Sequence, residues 1–136
     1  MKLLLFYGPY FYYRTARKSL PEVEDIDRQE EARDCVVVFF HVEEKDQEER
    51  KSVVQKFVKN VKWLAGKFGT KNVVLHSFNH LSSSKAPPEF ALEVLEEVKA
   101  RLQRTGYNVI TTPFGYFNEF KLHVAGDSLA KVFKEF

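Results

Sequence analysis

Apolar residues fall into blocks of two different periods along this chain, and the blocks set out its elements. "KLLLFY", residues 2–7, is a short apolar run closed by Gly8 and Pro9, and it predicts a first strand. The aromatic piece Tyr10–Tyr13 extends that strand or pairs with it. Residues 14–34 lose the pattern: Arg14, Arg17 and Lys18 are followed by "EVEDIDRQEEARD", with seven acids in thirteen positions. A charge run of this kind reads as an exposed loop. "DCVVVFFHV", 34–42, is then almost continuously apolar, as a central strand buried on both faces would be.

The period changes after Asp46. Val54, Phe57, Val58, Val61, Leu64, Ala65 and Phe68 recur at three- and four-residue steps and predict a long amphipathic helix ending at Gly69. Asp46 and Glu49 have capping-box spacing at its start. "KNVVLHSF" predicts a third strand, and Pro87 or Pro88 opens a second helix to Thr105 with Ala91, Val94, Leu95, Val98 and Leu102 inward. "YNVITT" and "YFNEFKLHV" read as strands four and five, separated by Pro113 and Gly115. In "DSLAKVFKEF", Leu129, Val132, Phe133 and Phe136 fall at helical spacing behind an Asp127 cap, which predicts a third helix. The element order describes a single α/β domain over 1–136 with helices packed on a mixed sheet, either free-standing or cut from a longer chain.

Composition narrows the picture without naming a function. With 136 residues, 44% apolar content and thirteen phenylalanines, the chain has material for one real core. The net charge of +2 does not mark a nucleic-acid binder, so any basic surface is local. Cys35, the single cysteine, reads as a buried small hydrophobe in a reducing compartment. No secretory signal or membrane-length run appears, which makes the cytoplasm the expected location. A dinucleotide-binding fold is disfavoured because no glycine-rich turn follows the first strand, and no Walker loop occurs.

Two stretches carry candidate chemistry. "SFNHLSSSKAPPEF", 77–90, puts His80 and three serines after the carboxyl end of strand three, where open α/β folds bind ligands. His80 either contacts a ligand or belongs to a plain hydrophilic turn, and Ser82, Ser83 and Ser84 either donate hydrogen bonds or cap the next helix. A nucleophilic triad lacks support: there is no nucleophile elbow, and His80 and Ser82 are too close in sequence to imply aligned side chains. His41, His76, His80 and His123 give no metal spacing, since strand three ends between His76 and His80. In the second stretch, "TTPFGYFNEFKLHV", Asn118 begins an otherwise apolar strand face, so its amide is tied to local backbone or presented to a pocket. Lys56, Lys59, Lys62 and Lys67, with Lys71 after them, make an ordinary lysine-rich helix surface.

The opening "KLLLFYGPYFYY", "VVVFFHVEE", "FNHLSS" and "GYNVITTPFGYFNEFKLHVAG" together resemble the archaeal editing domain of threonyl-tRNA synthetase, a family similar in fold to D-aminoacyl-tRNA deacylases. The resemblance spans nearly the whole chain. It implies hydrolysis of the ester in seryl-tRNA(Thr) while threonyl-tRNA(Thr) is spared, with no cofactor and no metal. It places His80 in the aminoacyl-adenosine pocket and assigns His80 and Asn118 a positioning part in catalysis, with main-chain groups and the substrate 2′-hydroxyl carrying the chemistry. It also implies substrate contacts from Glu44, Tyr116, Phe117 and Lys131, while Arg14, Arg17 and Lys18 form a local basic cluster of the kind that neutralises tRNA phosphates. The implied partners are the aminoacylated 3′ end of tRNA(Thr), a second copy in a homodimer, and a threonyl-tRNA synthetase catalytic protein or domain. Five positions depart from the family's usual residues. Phe117 replaces tyrosine, Asn118 lysine and Lys131 glutamate, while Tyr7 and Pro9 stand for histidine and aspartate. These departures keep a second expectation open, a catalytically lapsed module that binds the tRNA acceptor end.

Overall fold

The computed structural model describes residues 1–136. Strands β1 (Lys2–Lys18) and β2 (Gln29–His41) form a long antiparallel pair joined through residues 19–28. Helix α1 (Arg50–Phe68) leads to β3 (Asn72–Ser77), and α2 (Pro88–Arg104) leads to β4 (Asn108–Thr111). Strands β5 (Tyr116–His123) and β6 (Lys131–Glu135) complete one mixed sheet in the order β4–β3–β2–β1–β5, with β6 also on β1. The pairs β2–β3 and β3–β4 are parallel, each bridged by a helix, while every pairing to β1 is antiparallel.

The charged stretch 14–34 is not a loop throughout, a correction to the pattern reading. β1 runs on to Lys18 and β2 starts at Gln29, so both arms of the charge run lie on a hairpin. Tyrosines on β1 hold it: the Tyr10 and Tyr12 hydroxyls donate to Glu31 (2.8 Å) and Gln29 (2.7 Å) across the pair. Such cross-strand pairs stabilise a ladder even where its side chains are solvated.

Both strands also exchange faces midway. Leu3 and Leu5 join Val36, Val38 and Phe40 in the core under the helices, whereas Phe11 and Tyr13 join Cys35, Val37 and Phe39 in a second cluster. The reversal falls at Gly8–Pro9 on β1 and at Asp34, whose φ is +47°, on β2. Gly8 is required there by contact, because a Cβ would lie 1.7 Å from the His123 carbonyl oxygen.

α1 buries Val53, Val54, Phe57, Val58, Val61, Leu64 and Ala65, and α2 buries Val94, Leu95, Val98 and Leu102. Both pack on one side of the sheet, and no helical residue enters the second cluster. The start of α1 departs from expectation. A 3₁₀ turn, Glu44–Glu48, precedes it, and the capping box is Glu43 with Asp46 rather than Asp46 with Glu49. Asp46 is buried, accepting from the Glu43 amide (2.8 Å) and the Met1 ammonium (2.9 Å).

The expected third helix is a strand. Asp127 caps only the 3₁₀ turn Ser128–Ala130, accepting from the Leu129 amide at 2.9 Å, and β6 follows. Lys131–Glu135 pairs with Lys2–Phe6, the part of β1 that β5 leaves open, so its backbone groups satisfy an edge. No helix is long and apolar enough to cross a membrane.

Candidate aminoacyl-ester site

A cavity of about 660 Å³ opens where the carboxyl end of β3 meets the β4–β5 connection. Ser77, Phe78, Asn79 and His80 line one side, and Thr112 through Asn118 line the other. The expected pocket residues His80, Tyr116, Phe117 and Asn118 therefore meet, although 36 or more residues of sequence separate the two groups. No Asp or Glu lines the cavity; its one permanent charge is Lys85.

The His80 loop is built outward from two buried residues at the end of β2. His41 is fully buried, its Nδ1 accepts from the Leu81 amide (3.1 Å), and its Nε2–H donates to the Ser84 carbonyl (2.6 Å). The Glu43 carboxylate accepts from the Ser82 hydroxyl at 2.7 Å. Burial alone would raise the Glu43 pKa; hydrogen bonds from the Met1 ammonium and Ser82, with the charges of Met1 and Lys2, overcome it and hold the group at about 2. Ser82 Oγ then accepts from the Ser84 amide (3.1 Å), and Ser84 Oγ accepts from the Glu44 amide (3.0 Å). Ser82 and Ser84 thus pin the loop, and no side chain caps α2, which starts on Pro87 and Pro88. His80 itself stays exposed, its ring edge-on to Phe78 at 4.9 Å.

The opposite wall depends on a tight turn. Gly115 has φ +82°, and its carbonyl accepts from the Ser19 (2.7 Å) and Leu20 (3.1 Å) amides. The Tyr116 hydroxyl accepts from the Ile26 amide (2.7 Å) and donates to the Glu24 carbonyl (2.6 Å), tying the wall to the 19–28 loop. Asn118 Nδ2 donates to the Tyr116 carbonyl (3.3 Å). Its Oδ1 is buried with no partner, the only buried side-chain nitrogen or oxygen left so. A buried acceptor without a donor costs stability.

His76 and Thr112 were not assigned to the site from sequence. His76 Nδ1 lies 2.9 Å from the Thr112 hydroxyl, and its ring packs against Phe39 (5.0 Å) and Phe120 (5.3 Å). Burial lowers its pKa to about 4, so the imidazole is neutral near pH 7 and bonds through its nitrogens without charge. A histidine ending a β-branched strand was the available signal, but the position alone does not distinguish a core ring from a cavity wall. Lys85 lies within the 77–90 stretch that carries His80, which was its only signal.

The remaining expected residues lie elsewhere. Glu44 borders a separate shallow depression with Lys45, Gln47, Glu48 and Ser84. The Lys131 ammonium donates to the Ala125 (2.9 Å) and Asp127 (3.3 Å) carbonyls, away from the cavity lining. Tyr7 stacks on Phe68 at 4.0 Å with its hydroxyl donating to Asp34, and Pro9 is exposed on β1. Arg14 faces the Glu119 register position, and Lys18 pairs with Asp25 at 2.5 Å. Arg17 alone approaches the mouth, its guanidinium 5.1 Å over the Phe117 ring.

Residues 1–136 match the family described as the archaea-specific editing domain of threonyl-tRNA synthetase. The chain belongs to this family. Among curated relatives, it is 37% identical over 135 residues to a threonine–tRNA ligase of Thermococcus onnurineus, and 32% identical over 142 residues to one of Hyperthermus butylicus. These alignments cover 97% and 100% of the chain but 22% and 23% of the relatives, so the chain spans about a fifth of their length. Among solved structures, a c-Myc DNA unwinding element binding protein superposes with a TM-score of 0.67 at 14% identity, covering 99% of this chain and 98% of that one. That likeness concerns the fold, the D-aminoacyl-tRNA deacylase-like arrangement of one curled mixed sheet and two helices. Within the editing-domain family, the cavity described above is where His80, Phe117 and Asn118 of this chain converge.

Proposed function

We propose that this editing domain hydrolyses the ester of seryl-tRNA(Thr) and spares threonyl-tRNA(Thr), acting in the cytoplasm as one domain or partner of a threonyl-tRNA synthetase. The observation that carries the reading is the convergence of His80, Tyr116, Phe117 and Asn118 on one acid-free cavity. Lys85 and Arg17 suit the phosphates of the terminal nucleotides. Catalysis then rests on placement. His80 and Asn118 hold the aminoacyl-adenosine, Tyr116 and Phe117 flank it, and main-chain groups with the substrate 2′-hydroxyl orient the attacking water. Ser82 and Ser84 are committed to the loop, which argues against an acyl-serine intermediate.

Threonine differs from serine by one methyl, and attraction to it yields only about 1–3 kcal/mol in the wrong direction. Selectivity must therefore come from exclusion of that methyl by a close wall or from its displacement of the attacking water. Single-turnover deacylation of both aminoacyl-tRNAs tests the proposal. Seryl-tRNA(Thr) should be cleaved faster, with His80→Ala slowed about five- to a hundredfold by loss of one positioned hydrogen bond. Equal rates for the two substrates would refute the specificity. Binding of the acceptor end with no cleavage above background would instead establish the lapsed module, which the replacements at Asn118 and Lys131 favour.

The active form is proposed to be a homodimer. Leu4, Phe6 and Leu122 are half-buried beside the second cluster, and Phe120 and Phe133 are 39% and 51% exposed on a sheet side that no helix packs against. An apolar face of this kind fits a second copy of the same sheet.

A further inference from the structure

The solvent side of α1 is strongly one-sided in charge and lies outside the cavity. The chain holds 21 basic and 19 acidic residues, yet from Arg50 to Pro88 it carries eight Lys or Arg and no Asp or Glu. On α1, Val53, Phe57, Val61 and Leu64 face the core, which turns Lys51, Lys56, Lys59, Lys62 and Lys67 outward, with Lys71 just beyond. None of these lysines makes an ion pair; the only one from this helix is at Arg50, with Glu93 and Glu97. Trp63, 40% exposed among them, has the Lys134 ammonium of β6 5.4 Å from its ring centroid. Lys62 and Lys71 flank the Tyr107 ring at 5.9 and 4.3 Å.

Like charges three or four residues apart on a helix repel. Lys56, Lys59 and Lys62 do so at three-residue steps, and none of them forms an ion pair with a carboxylate. A polyanion would relieve the repulsion. Lysine is depleted at protein–protein interfaces and enriched where phosphates are bound, and the only large apolar side chain exposed on the helix is Trp63. Lys51 and Lys67 are sixteen residues apart, about 24 Å along the axis, which gives room for several successive phosphates. α1 also begins beside the cavity loop, through Glu44 and Ser84, and runs back along the sheet to Gly69.

We propose that the lysine face of α1, with Lys71, Lys134 and Trp63, binds the sugar-phosphate backbone of an RNA helix as a contact surface separate from the aminoacyl-ester cavity. The contact is sequence-independent and electrostatic.

The test uses the full chain and an RNA hairpin without an attached amino acid, with a 3′ single-stranded end, titrated from 50 to 200 mM KCl. Lys59→Gln/Lys62→Gln/Lys67→Gln should weaken binding at least tenfold at low salt and reduce the slope of log affinity against log salt by about 3, close to one counterion per lysine removed. Lys99→Gln/Arg104→Gln/Lys121→Gln, with the same charge change elsewhere, should leave both nearly unchanged. Hydrolysis of a short seryl-adenosine substrate should be the same in both variants, because the cavity is untouched. Equal affinity in wild type and the α1 variant overturns the proposal, as does an equal loss in the two variants. Failure of hydrolysis in every form would count against the deacylase reading alone, since RNA binding is read without it.

Discussion

The His76 ring sits against Phe39, Phe78 and Phe120, so a proton added to it enters an apolar surround. Its folded pKa of about 4 lies below the ordinary histidine value of 6.5. Between those limits the unfolded chain binds a proton that the folded chain does not, so stability is full above pH 6.5 and falls as pH drops towards 4. The loss by pH 4.5 is on the order of 2–3 kcal/mol from this residue. Glu43 works in a lower window: its pKa of about 2 lies below the usual 4.5, so its contribution is lost only as pH falls from 4.5 through 2. Urea unfolding at pH 7 and 4.5 should therefore show a smaller drop for His76→Gln than for wild type. Parallel drops would show that His76 is not the group responsible. Cys35 makes no comparable contribution, because burial pushes its thiol up to about 11 and leaves it neutral throughout.

At the scale of elements, the long strand β1 organises the molecule. It pairs with β2 over Lys2–Arg14, with β5 over Tyr10–Lys18 and with β6 over Lys2–Phe6. The changeover between its β5 and β6 partners falls near Gly8, where the backbone after β5 passes closest and the Ala125 amide donates to the Tyr7 carbonyl at 2.9 Å. Gly8→Ala should cost about 3 kcal/mol or more, because the added carbon meets a backbone carbonyl rather than a movable side chain. Gly66→Ala is the control: nothing lies within 4 Å of its Cβ on helix α1, so it should stabilise by about 0.5–1 kcal/mol. Chemical denaturation of the two variants measures both effects. A Gly8→Ala protein as stable as wild type would mean that β5 shifts freely on β1.

For the whole molecule the decisive question is what covers the second sheet face. If two copies meet there, sedimentation at micromolar concentration should give a dimer, and Phe133→Asp should convert it to a monomer by burying an unpaired charge in the contact. A wild-type monomer across that range would remove the dimer from the functional reading. The lysine face of α1 lies on the helix side of the sheet, so dimerisation through the other side leaves it open to RNA.

What the sequence determined by itself was local. Helical spacing placed α1 and α2, continuous apolarity made β2 central, and the loop after β3 with the turn at Gly115 marked the two walls of the cavity. Their family pattern was legible for the same reason, since each motif is contiguous. The tertiary structure decided whatever depends on a distant partner. Leu129, Val132, Phe133 and Phe136 fit a helical period, and Val132, Lys134 and Phe136 fit a strand equally well; only the unpaired stretch of β1 selects the strand. Asp46 looked like the N-cap of α1, but it closes a capping box with Glu43 in the turn before, and the Met1 ammonium reaches it from a distant segment. The neutral state of His76 and the orphaned Asn118 oxygen likewise arise from burial by residues remote in sequence. Burial and pairing are properties of the assembled sheet, and no local period encodes them.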